Sequence, residues 1–142
     1  INEDFILLNG DVIFEKVVLE KIHNDPHDFI LSVDNQKALG DEEMKIKVNQ
    51  EGKVIEIGKK LDYNDYHGEY IGILKIKYPF STQFFDSINE IINKDGTNVY
   101  YESALQNLIN KSTPIWVSNI ETAKWFEIDT NEDYENAQLL FK

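Results

Sequence analysis

The 142 residues are one domain's worth of chain, 42% apolar and 28% charged, which is globular and long enough to bury a core without staples. Cysteine is absent, which excludes a disulfide framework, a thiolate metal site and a Cys nucleophile. Acids number 26 against 14 lysines and no arginine, a net charge of −12 that excludes a non-specific nucleic-acid binder.

No apolar run reaches membrane-span length and no secretory leader is read, so a reducing cytoplasm is the expected compartment. The chain opens on Ile1 and runs at once into Phe5-Ile6-Leu7-Leu8, so an incomplete domain is expected. That apolar run predicts a strand covered on both faces, as in a parallel sheet, ended by Asn9-Gly10-Asp11. Phe14, Val17, Val18 and Ile22 share helical spacing, which predicts a helix over 14–23 closed before Pro26. A second buried strand follows at 29–33, then a polar turn over 34–41. Alternation at 45–48 and 54–57 around Asn49-Gln50-Glu51-Gly52 predicts a hairpin. A polar loop is expected at 61–68 and a strand at 70–76.

Phe84, Ile88, Ile91 and Ile92 form a helical stripe ended near Gly96, and a further helix is expected over 99–109. Short strands follow at 115–117 and 125–128. Thr130 with Asp133 predicts a capping box opening a final helix. Residues 1–142 therefore read as a single α/β domain with a mostly parallel sheet and an inserted antiparallel hairpin.

Asp11 follows a buried strand, and ligands of open α/β sheets bind at carboxyl ends of strands. Gly10 allows a tight turn or the close approach of a ligand. A carboxylate at that edge suits Mg²⁺, which takes one or two carboxylates plus substrate phosphates. Asp129 ends another strand and is the second candidate ligand. The alternative for Asp11 is a turn residue or a helix cap, and for Asp129 a helix cap. A lysine of the Lys59-Lys60 pair can hold a phosphate as a point charge, or the pair is a solvated turn. Glu69 can meet a polar or cationic substrate group, while Glu102 can merely favour a helix dipole. Tyr101, Trp116 and Trp125 are core candidates. His23, His27 and His67 read as structural, and no P-loop, Gly-x-Gly-x-x-Gly or Gly-x-Ser-x-Gly occurs.

The order of Gly10-Asp11, Lys59-Lys60, Gly68-Glu69-Tyr70-Ile71-Gly72, Tyr101-Glu102 and Glu127-Ile128-Asp129-Thr130 carries a resemblance. The chain resembles the C-terminal two-thirds of the nucleotidyltransferases of the sugar-phosphate and phosphocholine type. It is most similar to the cytidylyltransferases acting on phosphocholine or aminoalkylphosphonates. The resemblance implies a Rossmann-like, GT-A-like sheet flanked by helices. It implies that Asp11 and Asp129 bind Mg²⁺, that Lys60 contacts the acceptor phosphate and that Glu69 and Glu102 face the acceptor. Trp125 is expected to shape that pocket, with Tyr101 and Trp116 adding aromatic faces for a cationic acceptor. The family's Gly-rich triphosphate loop, with its Arg and Lys, has no match here.

The implied partners are a nucleoside triphosphate, CTP in preference, and a small phosphorylated acceptor, with no nucleic acid and no membrane. An open sheet edge is expected, and with it self-association. The alternatives are a sugar-1-phosphate nucleotidyltransferase and a non-catalytic α/β interaction module.

Overall fold

β1 (Phe5–Leu8) leads into the short β2 (Val12–Phe14), α1 (Lys16–Asn24) and β3 (Phe29–Asp34). The hairpin β4 (Lys45–Val48) and β5 (Val54–Gly58) precedes β6 (Gly68–Ile76), α2 (Phe80–Asp95) and α3 (Glu102–Asn110). β7 (Trp116–Asn119), β8 (Trp125–Glu127) and α4 (Asn131–Leu140) complete the chain. The computed structural model describes residues 2–60 and 65–142, so the first half of the polar loop expected at 61–68 lies outside the described residues.

β3 and β6 are buried at every residue, which is why both read as near-continuous apolar runs. Alternation sends Phe29, Leu31 and Val33 of β3, with Tyr70, Leu74 and Ile76 of β6, to one face. There they meet Phe84 of α2 and Leu105 and Leu108 of α3. Ile30, Ile71 and Ile73 point to the other face and are covered by Val18 and Ile22 of α1. Nearly complete burial of such side chains contributes about 1.5–3 kcal/mol each.

The main sheet runs β5-β4-β6-β3-β7, with β1 paired to the C-terminal half of β6. The α/β class and the inserted hairpin are as expected, but strand direction corrects the mostly parallel expectation. Among the described residues of this sheet only the strands β3 and β7 pair parallel; β1–β6, β3–β6, β4–β5 and β4–β6 are antiparallel. A continuous apolar run reports cover on both faces and says nothing of the neighbour's direction. β1, β3 and β7 nonetheless point the same way, and β6 runs against them. The carboxyl ends of β1 and β3 and the start of β6 thus share one edge of the sheet.

Helix ends follow local chemistry. α2 stops at Gly96, whose N–H bonds the carbonyl of Ile92. Thr130 and Asp133 close the expected capping box at α4. β2 was not foreseen: Phe14 shares the spacing of α1 but belongs to a ribbon with β8, pairing Phe14 with Trp125 and Val12 with Glu127. Among the described residues no helix is long and apolar enough to cross a membrane.

Candidate active site

Asp11 lies between β1 and β2, and Glu127 and Asp129 lie at the end of β8. The β2–β8 ribbon brings them together, extended by the Ile128 N–H donating to the carbonyl of Asp11 at 2.8 Å. Each offers a carboxylate oxygen within 4.8 Å of the others. Neither aspartate is a cap: α1 is preceded by Glu15 with no side-chain cap, and the N-cap of α4 is Thr130; Asp11 does stand in the turn between β1 and β2. Glu127 was not foreseen as a partner, although it stands two residues before Asp129 at a strand end. Partial desolvation at the cavity wall chiefly, then the charges of Asp129 and Asp11, push its carboxyl above the ordinary range, while Lys59 and Lys37 oppose this. Three hard oxygen donors, each exposed and converging, fit Mg²⁺ and no soft metal.

The segment before Asp11 is braced from below. The Asn9 N–H donates to the carbonyl of Gly72 at 2.8 Å, and Asn9 Oδ1 accepts from the Tyr101 hydroxyl at 2.8 Å. Tyr70 and Tyr101 share a hydrogen bond of 2.8 Å between their hydroxyls. Gly72 holds φ at +80° where β3 and β6 slip in register, between Leu31 and Val33. That bulge turns its carbonyl toward Asn9.

A cavity of about 820 Å³ opens over this edge, lined by Asp11, Glu127 and Asp129 and by Asp34, Lys37, Lys59, Glu69, Glu102 and Trp125. Nine acidic residues and three lysines line it, so it favours cations, or phosphates that arrive with a metal.

Glu69 is 4% exposed. Burial pushes its carboxyl up, and Lys37 pulls it back down. The Lys37 ammonium lies 2.8 Å from Glu69 Oε2 and forms an ion pair with it. Glu102 is half-buried, with Oε2 lacking a hydrogen-bond partner; burial raises its carboxyl and the nearby Lys59 lowers it. Trp125 Nε1 donates to Asp34 Oδ2 at 2.7 Å, and Lys37 Nζ sits 4.7 Å from the centre of the indole ring.

Three expected residues sit elsewhere. Lys60 is exposed and is not among the residues lining the cavity; Lys59 is, with Nζ 5.3 Å from the Tyr100 ring centre. The buried Lys45 ammonium donates to the carbonyl of Lys59 at 2.7 Å and fixes that turn. Strand parity held the signal, because Lys59 is two residues beyond the buried Ile57. Tyr101 braces Asn9 and does not line the cavity, whereas Tyr100 does. Trp116 packs with the α1 side of the core and stacks on His27 at 4.2 Å. Gly10 has no positive φ and open space about it, so its backbone does not demand glycine.

No protein-family model matches the chain. Solved structures of similar fold are nucleotidyltransferases. The inositol-1-phosphate CTP transferase from T. maritima superposes with a TM-score of 0.73 at 20% identity, covering 99% of this chain and 56% of that one. A putative glucose-1-phosphate thymidylyltransferase from Bacillus anthracis gives 0.71 at 17%, covering 98% and 55%. The CTP:phosphocholine cytidylyltransferase from Streptococcus pneumoniae gives 0.69 at 16%, covering 96% and 57%. The chain shares their fold and spans just over half their length.

Proposed function

We propose that this chain is the acceptor-binding and metal-binding part of a cytoplasmic, Mg²⁺-dependent nucleotidyltransferase. It moves a nucleotidyl group, CMP from CTP, to a phosphate or phosphonate such as phosphocholine or 2-aminoethylphosphonate. One observation carries the reading: a carboxylate triad and lysine, glutamate and indole side chains line one cavity, on a nucleotidyltransferase fold. The preference for CTP is supported by the named substrates of two of those structures.

In the reaction an acceptor oxygen attacks the α-phosphorus, the bond from that phosphorus to the β-phosphate oxygen breaks, and pyrophosphate leaves. The acceptor is already ionised near neutral pH, so no strong general base is required. Asp11, Glu127 and Asp129 would hold Mg²⁺, which supplies charge neutralisation at the donor phosphates. Lys59 would hold the acceptor phosphate, its backbone fixed by Lys45. Glu69 and Trp125 would face the rest of the acceptor, and Glu102 would restrain Lys59. Catalysis by these residues is positioning and electrostatic stabilisation. Self-association belongs to the same proposal: among the described residues β1 pairs with β6 alone.

Pyrophosphate release by the full-length protein, at fixed CTP with phosphocholine, 2-aminoethylphosphonate and glucose 1-phosphate in competition, tests the acceptor. The cationic acceptors are expected to win. Preference for glucose 1-phosphate would establish the second reading, a sugar-1-phosphate nucleotidyltransferase. That reading draws support from Lys37, which already neutralises Glu69.

Lys59 and Lys60 give an internal comparison. Lys59→Ala is expected to lower kcat/KM for the acceptor by about 10–100-fold, the worth of one charge-assisted contact. Lys60→Ala should change it less than about threefold, as an exposed charge away from the cavity does. Equal losses would remove the assignment to Lys59.

A further inference from the structure

We propose that Glu69 and Trp125 form an ammonium-binding cage whose resident occupant is the chain's own Lys37, and that a cationic acceptor enters by displacing that lysine. The inference rests on the acceptor-side reading above and deepens it.

The cage has the chemistry of an ammonium site. Lys37 Nζ is 2.8 Å from Glu69 Oε2 and 4.7 Å from the centre of the Trp125 ring. A carboxylate and an indole face together attract a primary or quaternary ammonium. The walls are fixed. The Glu69 side chain is 5% exposed, and Glu69 is in register with Asp34 across β3 and β6. Asp34 holds the indole through Nε1 at 2.7 Å and accepts the Gln36 N–H on its other oxygen at 2.9 Å.

The occupant is held differently. Lys37 stands in the irregular stretch between β3 and β4, and its side chain is 45% exposed. Its ammonium is paired with Glu69 at 2.8 Å, and its half-exposed side chain has solvent to swing into. A buried carboxylate needs a cation beside it. An incoming ammonium supplies one as the lysine swings to solvent, so the charge inside the cage is unchanged. A neutral polyol offers no replacement and leaves Lys37 in place. The cage therefore discriminates by charge, with Lys37 as the internal competitor.

Tetramethylammonium is the probe, titrated into the full-length protein without nucleotide and against matched sodium chloride. Binding is read from the indole N–H resonance of Trp125. In the wild type the resonance should shift at high probe concentration and stay put with sodium. Lys37→Gln should bind the probe about tenfold tighter, the scale of a cation–aromatic contact freed of its competitor. Lys37→Arg, which keeps the competitor, should show no gain, and Glu69→Gln added to Lys37→Gln should abolish it.

An unmoved indole resonance in the wild type overturns the proposal, as does equal affinity in Lys37→Gln or a gain that survives loss of Glu69. The wild-type titration decides even where a variant does not fold. No turnover is involved, so a protein that binds the probe yet transfers no nucleotide keeps the cage and loses the enzyme reading. One that transfers to sugar phosphates and ignores the probe does the reverse.

Discussion

Asp11→Asn or Asp129→Asn in the full-length protein is expected to lower kcat/KM by at least about 100-fold, the scale for removing one electrostatic stabiliser of a transition state. The amide keeps the shape of the carboxylate and removes its charge. Both side chains are exposed and neither caps a helix, so the fold should survive. Removing one charge also relieves repulsion within the triad, since Asp11 and Asp129 both raise the Glu127 carboxyl. The variants should therefore melt at urea midpoints equal to or above the wild type while losing activity. That opposition of stability and turnover marks a site that holds charge for a cation. Activity retained in both variants would remove the metal assignment. An equal fall in stability and activity would make the carboxylates structural.

The edge of the sheet carrying this site was legible because its signals are local. Leu8-Asn9-Gly10-Asp11 and Glu127-Ile128-Asp129 each place an acid at the end of an apolar run, and periodicity locates such runs. Thr130 and Asp133 spell their capping box within four residues. The pairing that joins the two acids was not legible. β2 is three residues long, and Phe14 fits the stripe of α1 as well as it fits the ribbon, so only the contact with Trp125 decides between them. Strand direction failed for the same reason: β6 is buried throughout, and burial carries no direction. Lys37 stands in a stretch whose local signal is only that of a polar turn, because its partners Glu69 and Trp125 are 32 and 88 positions away. Tyr101 has the sequence signature of a core residue or an acceptor wall, and its link to Asn9 spans 92 positions. In each case local chemistry placed the element, and a long-range contact assigned its task.

Gly72→Ala is expected to destabilise the protein by about 2–5 kcal/mol, from left-handed backbone strain and overpacking together. Gly72 has a φ of +80°, a region that side-chain-bearing residues seldom enter. A Cβ there would stand 2.4 Å from Asn9 Nδ2, 2.6 Å from its Cγ and 2.9 Å from its Cβ. Rotating Asn9 away would sacrifice the bond from Tyr101, and shifting its backbone would break the 2.8 Å bond to the Gly72 carbonyl. Either adjustment falls two residues before Asp11, so the damage reaches the carboxylate triad. Gly10→Ala is the control: it lies one residue nearer Asp11, has no positive φ and has nothing within 4 Å of an added Cβ. It should change stability by less than about 0.5 kcal/mol. Urea midpoints of the two variants, measured beside their activity, separate the effects. A large loss in Gly72→Ala alone, with activity falling further than the unfolded fraction explains, ties the bulge in β6 to the geometry of Asp11. Matching midpoints for the two variants would mean that Asn9 is free to move, and the brace beneath the site would then be no brace.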